Sequence, residues 1–376
     1  MRILCIDFKK AIVLFKRNFQ NWNFPTLALI CCLSGLSVSA QDNYEPPHLS
    51  SPDSWSIILL PDPQTYVKFG RNQPLLELMT TWIRENINTL NIKMVLCTGD
   101  LVEQNEKINP NGISSNQSSK AQWESVSHAF GRLDGLVPYI TACGNHDYGY
   151  VNIENRKSNF MNYFPVDKNF KNQEILREVG LNAENVPTLE NAVFEFESPQ
   201  GRKFLFVSLE FAPRDTIVEW AKEVTSMEKY KDHTVALLTH SYLNPKNEHI
   251  VKEHYKIEDC NYGAALFDKL VKPSKNIQMV FAGHIGRPND PKSHVAFRTD
   301  RNAGNKKVQQ LVFNAQALGG GWMGNGGDGW LRILEFLPDN KTVKVKTFSP
   351  LFGISPTTQK YAWRSESYDE FSFELD

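Results

Sequence analysis

Lys93-Met94-Val95-Leu96-Cys97-Thr98-Gly99-Asp100 reads as a buried strand, an apolar run cut short by a turn. The same grammar recurs on both sides of it. Upstream, Leu75, Leu76, Met79, Trp82, Ile83, Ile87 and Leu90 fall at helical spacing, and before them Ser56–Leu60 is an apolar run stopped by Pro61-Asp62-Pro63. Downstream, Trp123, Val126, Phe130 and Leu133 mark a second amphipathic helix. Tyr139–Cys143 then forms a third strand, halted by Gly144-Asn145-His146-Asp147. Strand, helix, strand, helix, strand is the rhythm of a largely parallel sheet with helices on its faces, an α/β fold. In such sheets ligands bind in the crevice at the carboxyl ends of the strands.

Residues 150–191 are polar and irregular, and loops with short helices are expected there. Strands resume at Ala192–Phe196 and Phe204–Ser208, a helix is expected over Ile217–Val224, and strands follow at Thr234–Thr239 and Ile277–Ala282. From about residue 305 the pattern changes to strands joined by turns: Val308–Asn314, Leu331–Leu337 and Val343–Phe348, with no long helix between them. This predicts a late antiparallel portion. No repeat and no linker interrupts residues 41–376, so one domain is the economical reading. Gly319, Gly321 and Gly324 match G-x-G-x-x-G, but no helix is expected after them, so a turning loop is the better reading than a dinucleotide site.

Residues 1–40 differ from the rest. Arg2, Lys9, Lys10, Lys16 and Arg17 precede an apolar run from Leu27 to Leu36, and Val38-Ser39-Ala40 ends it in small residues. These are the parts of a secretory signal, and the run is short of the roughly 20 residues that span a bilayer. Export to a periplasm or the exterior is therefore expected, with an uncleaved anchor as the alternative. The whole chain carries a formal charge of −1; without residues 1–40 it falls to −5. An acidic chain lacking basic runs has no electrostatic footprint for nucleic acid. It still admits a small anionic substrate, because a metal centre would supply positive charge locally. Three of the six cysteines lie in the leader, and Cys97, Cys143 and Cys260 lack C-x-x-C spacing, so neither a disulfide framework nor a zinc ribbon is indicated. The sequence is silent on oligomeric state.

Potential ligands follow five of the expected strands. Asp62 and Gln64 come after the first, Asp100 after the second, Asn145, His146 and Asp147 after the third, His240 and His284 after two later ones. Asp and Asn oxygens mixed with imidazole nitrogen suit divalent manganese, iron or zinc. A central carboxylate such as Asp100 has two oxygens and can bridge a pair of ions about 3.5–4 Å apart.

Gly99-Asp100, Gly144-Asn145-His146-Asp147, His240 and Gly283-His284 resemble the ordered blocks of the calcineurin-like metallophosphoesterases, over roughly residues 57–284. Leu60-Pro61-Asp62-Pro63-Gln64, Thr239-His240-Ser241-Tyr242 and Gly329-Trp330-Leu331-Arg332 further resemble a secreted branch. The resemblance implies two mixed β-sheets packed face to face and flanked by helices. It also implies hydrolysis of a phosphomonoester or phosphodiester by attack of a metal-bound hydroxide. Asp62 would bind a first metal, Asp100 would bridge, and Asn145, His240 and His284 would bind the second. His146 would stabilise the phosphoryl oxygens or protonate the leaving group, with Asp147 orienting its imidazole.

Two blocks depart from the family pattern. Asp-x-His is here Asp62-Pro63-Gln64, and Gly-His-x-His is Gly283-His284-Ile285-Gly286. Both missing imidazoles belong to the first metal. Gln64 still offers an amide oxygen, and water, Asn289, Asp290 or His294 could fill the gap at Gly286. A tight second site and a loose first one are expected. The rival reading is a catalytically silent protein that keeps one metal and binds a phosphorylated or glycan ligand. The intact His146-Asp147 pair argues against it. His48, His128, His233 and His249 are read as solvated, and His254 and His294 as candidates to line the site by position only.

Overall fold

The computed structural model describes residues 44–107 and 109–376, and the leader read over residues 1–40 lies outside them. Fourteen strands among the described residues form two seven-stranded sheets. In the first, β1 (Trp55–Leu60), β2 (Ile92–Cys97) and β3 (Tyr139–Thr141) run parallel. β11 (Leu331–Phe336) and β12 (Thr342–Phe348) extend it antiparallel from β1, and β13 (Trp363–Arg364) and β14 (Phe371–Glu374) both pair with β12. The second sheet has the order β4-β5-β6-β7-β8-β10-β9. Its centre, β6 (Lys203–Ser208), β7 (Thr234–Leu238), β8 (Ile277–Ala282) and β10 (Lys307–Phe313), is parallel. Its edges, β4 (Leu176–Leu181), β5 (Pro187–Glu197) and β9 (Val295–Arg301), are antiparallel.

The apolar runs are continuous because each central strand is buried on both faces. Successive residues alternate sides: Ile57 and Leu59 enter the core shared by the two sheets, with Met94, Leu96, Phe206, Leu238 and Phe281. Ile58 and Leu60 face outward, beneath α1 (Gln73–Asn86) and α2 (Ser119–Gly131), where they meet Met79, Ile83, Trp123 and Phe130. On the far side α3 (Asp215–Thr225) covers Leu205, Val207, Val235 and Leu237 with Ile217, Val218, Ala221 and Val224. Helices outside two packed sheets is the layering that the resemblance implied.

Residues 150–191 hold more order than expected. β4 and the first part of β5 lie within them, joined by a turn, besides two short helices, Phe160–Tyr163 and Phe170–Ile175. β4 alternates buried and open positions irregularly, as an edge strand does, and so lacks the apolar run that betrays the central ones.

Candidate metal centre

Because β1, β2 and β3 are parallel, and β7, β8 and β10 are parallel, their carboxyl ends gather polar side chains at one edge. β1 ends in Asp62 and Gln64, β2 in Asp100, and β3 in the short turn Asn145–Asp147. β7 ends in His240, β8 in His284 and β10 in Asn314 and Gln316. Every one of these lies buried or nearly so, and Gln64, Asp100, Asn145, His146, His284 and Gln316 line a cleft of about 1060 Å³.

Two glycines make this convergence sterically possible. A Cβ on Gly144 would stand 2.1 Å from Asp100 Oδ1, and one on Gly283 would stand 2.2 Å from Asp62 Oδ1. Two of the ligand candidates are strained as well: Asp100 (φ +49), after Gly99, and His284 (φ +72), after Gly283, occupy left-handed backbone that costs a non-glycine residue energy. Strain of this kind persists where surrounding contacts fix it. Here the Asp100 carboxylate accepts the His146 backbone N–H at 3.0 Å, and Asp62 Oδ2 accepts that of His284 at 2.9 Å.

Asp100, His240 and His284 can each offer a donor atom within 4.8 Å of the others. His240 Nε2 lies 3.2 Å from Asp100 Oδ2 and 3.2 Å from His284 Nδ1. The opposite nitrogen of each ring is engaged: His240 Nδ1 donates to the Thr98 carbonyl at 2.7 Å, and His284 Nε2 meets Glu253 Oε1 at 3.2 Å. Imidazole ligands of metals are oriented this way, by a carbonyl or carboxylate on the far nitrogen. Asp62 accepts from Thr98 Oγ1 at 2.6 Å and from Asn314 Nδ2 at 2.6 Å besides the His284 amide.

Burial and mutual charge set the protonation of the group. Burial raises the Asp62 carboxyl to about 6, against the pull of His240. Burial alone would raise Asp100 too, but His240 and His146 more than offset it and hold it below the usual range. Burial would lower His240, yet Asp100 and Asp62 raise it to about 10. The cluster thus holds a strong demand for positive charge.

The orphaned atoms point the same way. Among the described residues, five side-chain amide oxygens are buried without a hydrogen-bond partner, and three of them, Gln64 Oε1, Asn145 Oδ1 and Gln316 Oε1, line this cleft. An orphaned buried acceptor costs about 1–3 kcal/mol. A carboxylate and two imidazoles within 4.8 Å of one another, with bare amide oxygens along the same cleft, fit a divalent cation.

His146 stands beside the cluster. Its Nδ1 lies 2.7 Å from the Glu103 carbonyl, which can only accept, so Nδ1 carries the proton and Nε2 is left for a ligand. Burial would lower its pKa, but Asp100 and Glu103 raise it overall. The Glu103 side chain binds Lys68 Nζ at 3.1 Å and Gln64 Nε2 at 3.2 Å, so one residue positions a glutamine, a lysine and an imidazole at the cleft wall.

The expected role of Asp147 needs correction. Its Oδ1 accepts from the Val102 backbone N–H at 3.1 Å and its Oδ2 from that of Gly144 at 2.8 Å. The Glu103 carbonyl, not Asp147, orients the imidazole, and Asp147 ties the loop after β2 to the loop after β3. Burial, then Asp100, raises its pKa to about 7.

At Gly286 the missing imidazole leaves no vacancy. A Cβ there would stand 2.4 Å from the His294 ring. His294 does not substitute as a donor, since its Nδ1 meets the Asp290 carbonyl at 2.9 Å and its Nε2 accepts from Ala317 N at 3.3 Å. Other histidines also differ from expectation: His233 is buried with Nε2 on Glu195 at 2.9 Å, and His249 meets Gln310 Oε1 at 2.7 Å. Glu103, Glu253 and Gln316 escaped the sequence reading. Gln316 alone had a signal, its place just beyond an expected strand.

Residues 56–288 match the family model of calcineurin-like phosphoesterases. The chain belongs to that family. Its members are metal-dependent phosphoesterases, and both the donor set and the two flanked sheets agree with membership. An uncharacterised protein of Bacillus subtilis (strain 168), YvnB, is 27% identical over 352 residues. The match takes in 91% of this chain but 23% of that protein, so the chain spans about a quarter of that relative's length. Among solved structures, GAP50, the anchor in the inner membrane complex of Plasmodium, aligns with a TM-score of 0.43 at 12% identity, over 86% of this chain and 89% of that one.

Proposed function

We propose that this protein hydrolyses a phosphate ester, mono- or diester, at the cleft lined by Asp100, Asn145, His146 and His284, with His240 against Asp100 and Asp62 against the His284 backbone. The carrying observation is the juxtaposition of the Asp100–His240–His284 cluster with His146, whose Nδ1 is pinned and whose Nε2 is left over. Bound divalent ions, manganese, iron or zinc, would supply charge neutralisation at the phosphoryl oxygens and a water activated near neutral pH. His240 and His284, with Asp100 and Asn145, would hold the tighter ion; Asp62 and Gln64, with Asp100, the weaker one.

His146 acts as the general acid or as a donor to the phosphoryl oxygens. Its pKa, raised by Asp100 and Glu103, favours the protonated ring that either role needs. Lys68, on the same wall, is paired with Glu103 and holds that residue in place beside the cleft. A small-molecule ester or one exposed on a larger molecule suits a cleft this open to loops such as 244–255. Export rests on the sequence of residues 1–40 alone. Among the described residues no helix is long and apolar enough to cross a membrane.

The rival reading, a silent binding protein with one metal, draws on Gln64 and Gly286 in place of imidazoles. The test is hydrolysis of p-nitrophenyl and bis-p-nitrophenyl phosphate with manganese, zinc or chelator, on wild type and His146→Ala. Metal-dependent turnover that falls about 10²–10⁴-fold in the variant, with metal content unchanged, supports the enzyme. Folded, metal-loaded protein that turns over neither ester under any ion would favour the binding protein.

A further inference from the structure

Gln316 sits where three loops of the centre meet. Its backbone carbonyl accepts from Thr65 Oγ1 at 2.8 Å, next to Gln64, and its Nε2 donates to the His284 carbonyl at 3.4 Å. Two residues earlier, Asn314 donates to Asp62 at 2.6 Å, and its Oδ1 accepts the Gln316 backbone N–H at 3.1 Å. The residue is 3% exposed and lines the cleft, and its Oε1 has no partner within the protein.

The orientation of that amide is chemically determined. A carbonyl can only accept, so the end of Gln316 facing His284 must be the NH₂, and the oxygen must face away. Gln64 repeats the argument: its Nε2 faces the Glu103 carboxylate, and its buried Oε1 is likewise bare. Two residues with bare amide oxygens therefore line the same cleft as Asp100, and Asn314 ties the backbone of one of them, Gln316, to Asp62. Asp62 already accepts three hydrogen bonds, which leaves it about one lone pair for a cation.

We infer that Gln316 Oε1 takes the place of the imidazole absent at Gly286, and that the first metal site is built wholly of oxygen, from Asp62, Gln64, Asp100 and Gln316. His294, whose ring fills the space beside Gly286, has both nitrogens engaged and does not compete for the role. The two sites then differ in kind. Carboxylate and amide oxygens prefer hard cations, manganese, magnesium or calcium, whereas the site with two imidazoles suits zinc or iron. One centre would thus hold two different ions, the hard one weakly, because two of its four protein donors are neutral. This rests on the metal-centre reading of the cleft but not on turnover.

The test counts and ranks bound ions rather than activity. Equilibrium dialysis and Mn²⁺ electron paramagnetic resonance are run on wild type, Gln316→Leu and Gln316→Glu, with and without one equivalent of Zn²⁺. The expectation for wild type is one tight Zn²⁺ and one weaker Mn²⁺ that zinc does not displace. Gln316→Leu should weaken the Mn²⁺ site at least about tenfold, since even losing a supporting partner costs 10–100-fold, and leave the zinc site unchanged. Gln316→Glu, adding a negative donor, should tighten Mn²⁺ instead, and it decides the matter if the leucine variant fails to fold. Two unaltered sites in both variants, or equal loss of both ions in a folded variant, would overturn the assignment of Gln316. No ion bound by wild type at all would remove the metal centre itself.

Discussion

His284 Nδ1 lies 3.2 Å from His240 Nε2, with the outer nitrogen of each ring already committed to Thr98 and Glu253. Two imidazole lone pairs cannot face each other at that distance without a positive charge between them. A proton on His240, favoured by Asp100 and Asp62, serves, and a divalent ion serves better because Asp100 can join both rings in holding it. The arrangement is pre-organised for a cation rather than for a packed core.

Metal should accordingly stabilise the fold. An ion at a hundred times its dissociation constant, binding only the native state, adds about 2.7 kcal/mol. For a domain of this size that is a rise in Tm of about 4 °C. Differential scanning calorimetry of chelator-treated protein, with and without Mn²⁺ or Zn²⁺, measures it. Identical melting in all three conditions would contradict the reading of this cluster.

Glu253 should act through His284. Its carboxylate meets His284 Nε2 at 3.2 Å and accepts Ser241 Oγ at 3.1 Å, and the contact with His284 holds its pKa low although burial alone would raise it. Glu253→Gln keeps the shape but removes the carboxylate charge that holds the outer nitrogen of the ring. Metal affinity should drop about 10–100-fold, read by competition with a chromophoric chelator. An unchanged affinity would reduce Glu253 to a cleft-wall residue.

How much of this was legible beforehand follows from burial. Strands buried on both faces, such as β1, β2, β7 and β8, announce themselves as apolar runs, and the polar residue that ends each run marks the site. Edge strands do not: β4 and β9 mix buried and open positions, so no period stands out. Asp62, Asp100, Asn145, His240 and His284 were visible as side chains in sequence order. The Glu103 carbonyl that orients His146 was not, because a backbone group carries no residue-type signal. Glu253 lies in a long polar loop with no local pattern, and only the fold brings it to His284.

Asp147 offers a clean separation of structure from chemistry. Each of its carboxylate oxygens accepts a backbone N–H, of Val102 and of Gly144. Asp147→Asn turns one acceptor into a donor facing an N–H group, at a cost of about 1–3 kcal/mol. Urea unfolding should register that loss. If stability were unchanged and only the pH profile of turnover moved, the orienting role expected from sequence would be restored.

His294 should make stability depend on pH in a defined direction. It is fully buried, and burial lowers its pKa below the ordinary value of about 6.5 even though the Asp290 carbonyl favours the charged ring. Between the lowered native value and about 6.5 the unfolded chain binds more protons than the native one, so stability rises with pH in that window. The contribution is complete above about pH 6.5 and is lost as pH falls toward the native value. Protonation would also turn Nε2 from an acceptor into a donor against Ala317 N–H, at the loop that carries Gln316. His294→Gln cannot take up the proton. Its unfolding free energy should therefore change less than that of wild type between pH 7.5 and pH 5, as urea titrations at both pH values would reveal. Equal pH dependence in the two proteins would mean that His294 keeps an ordinary pKa within the fold.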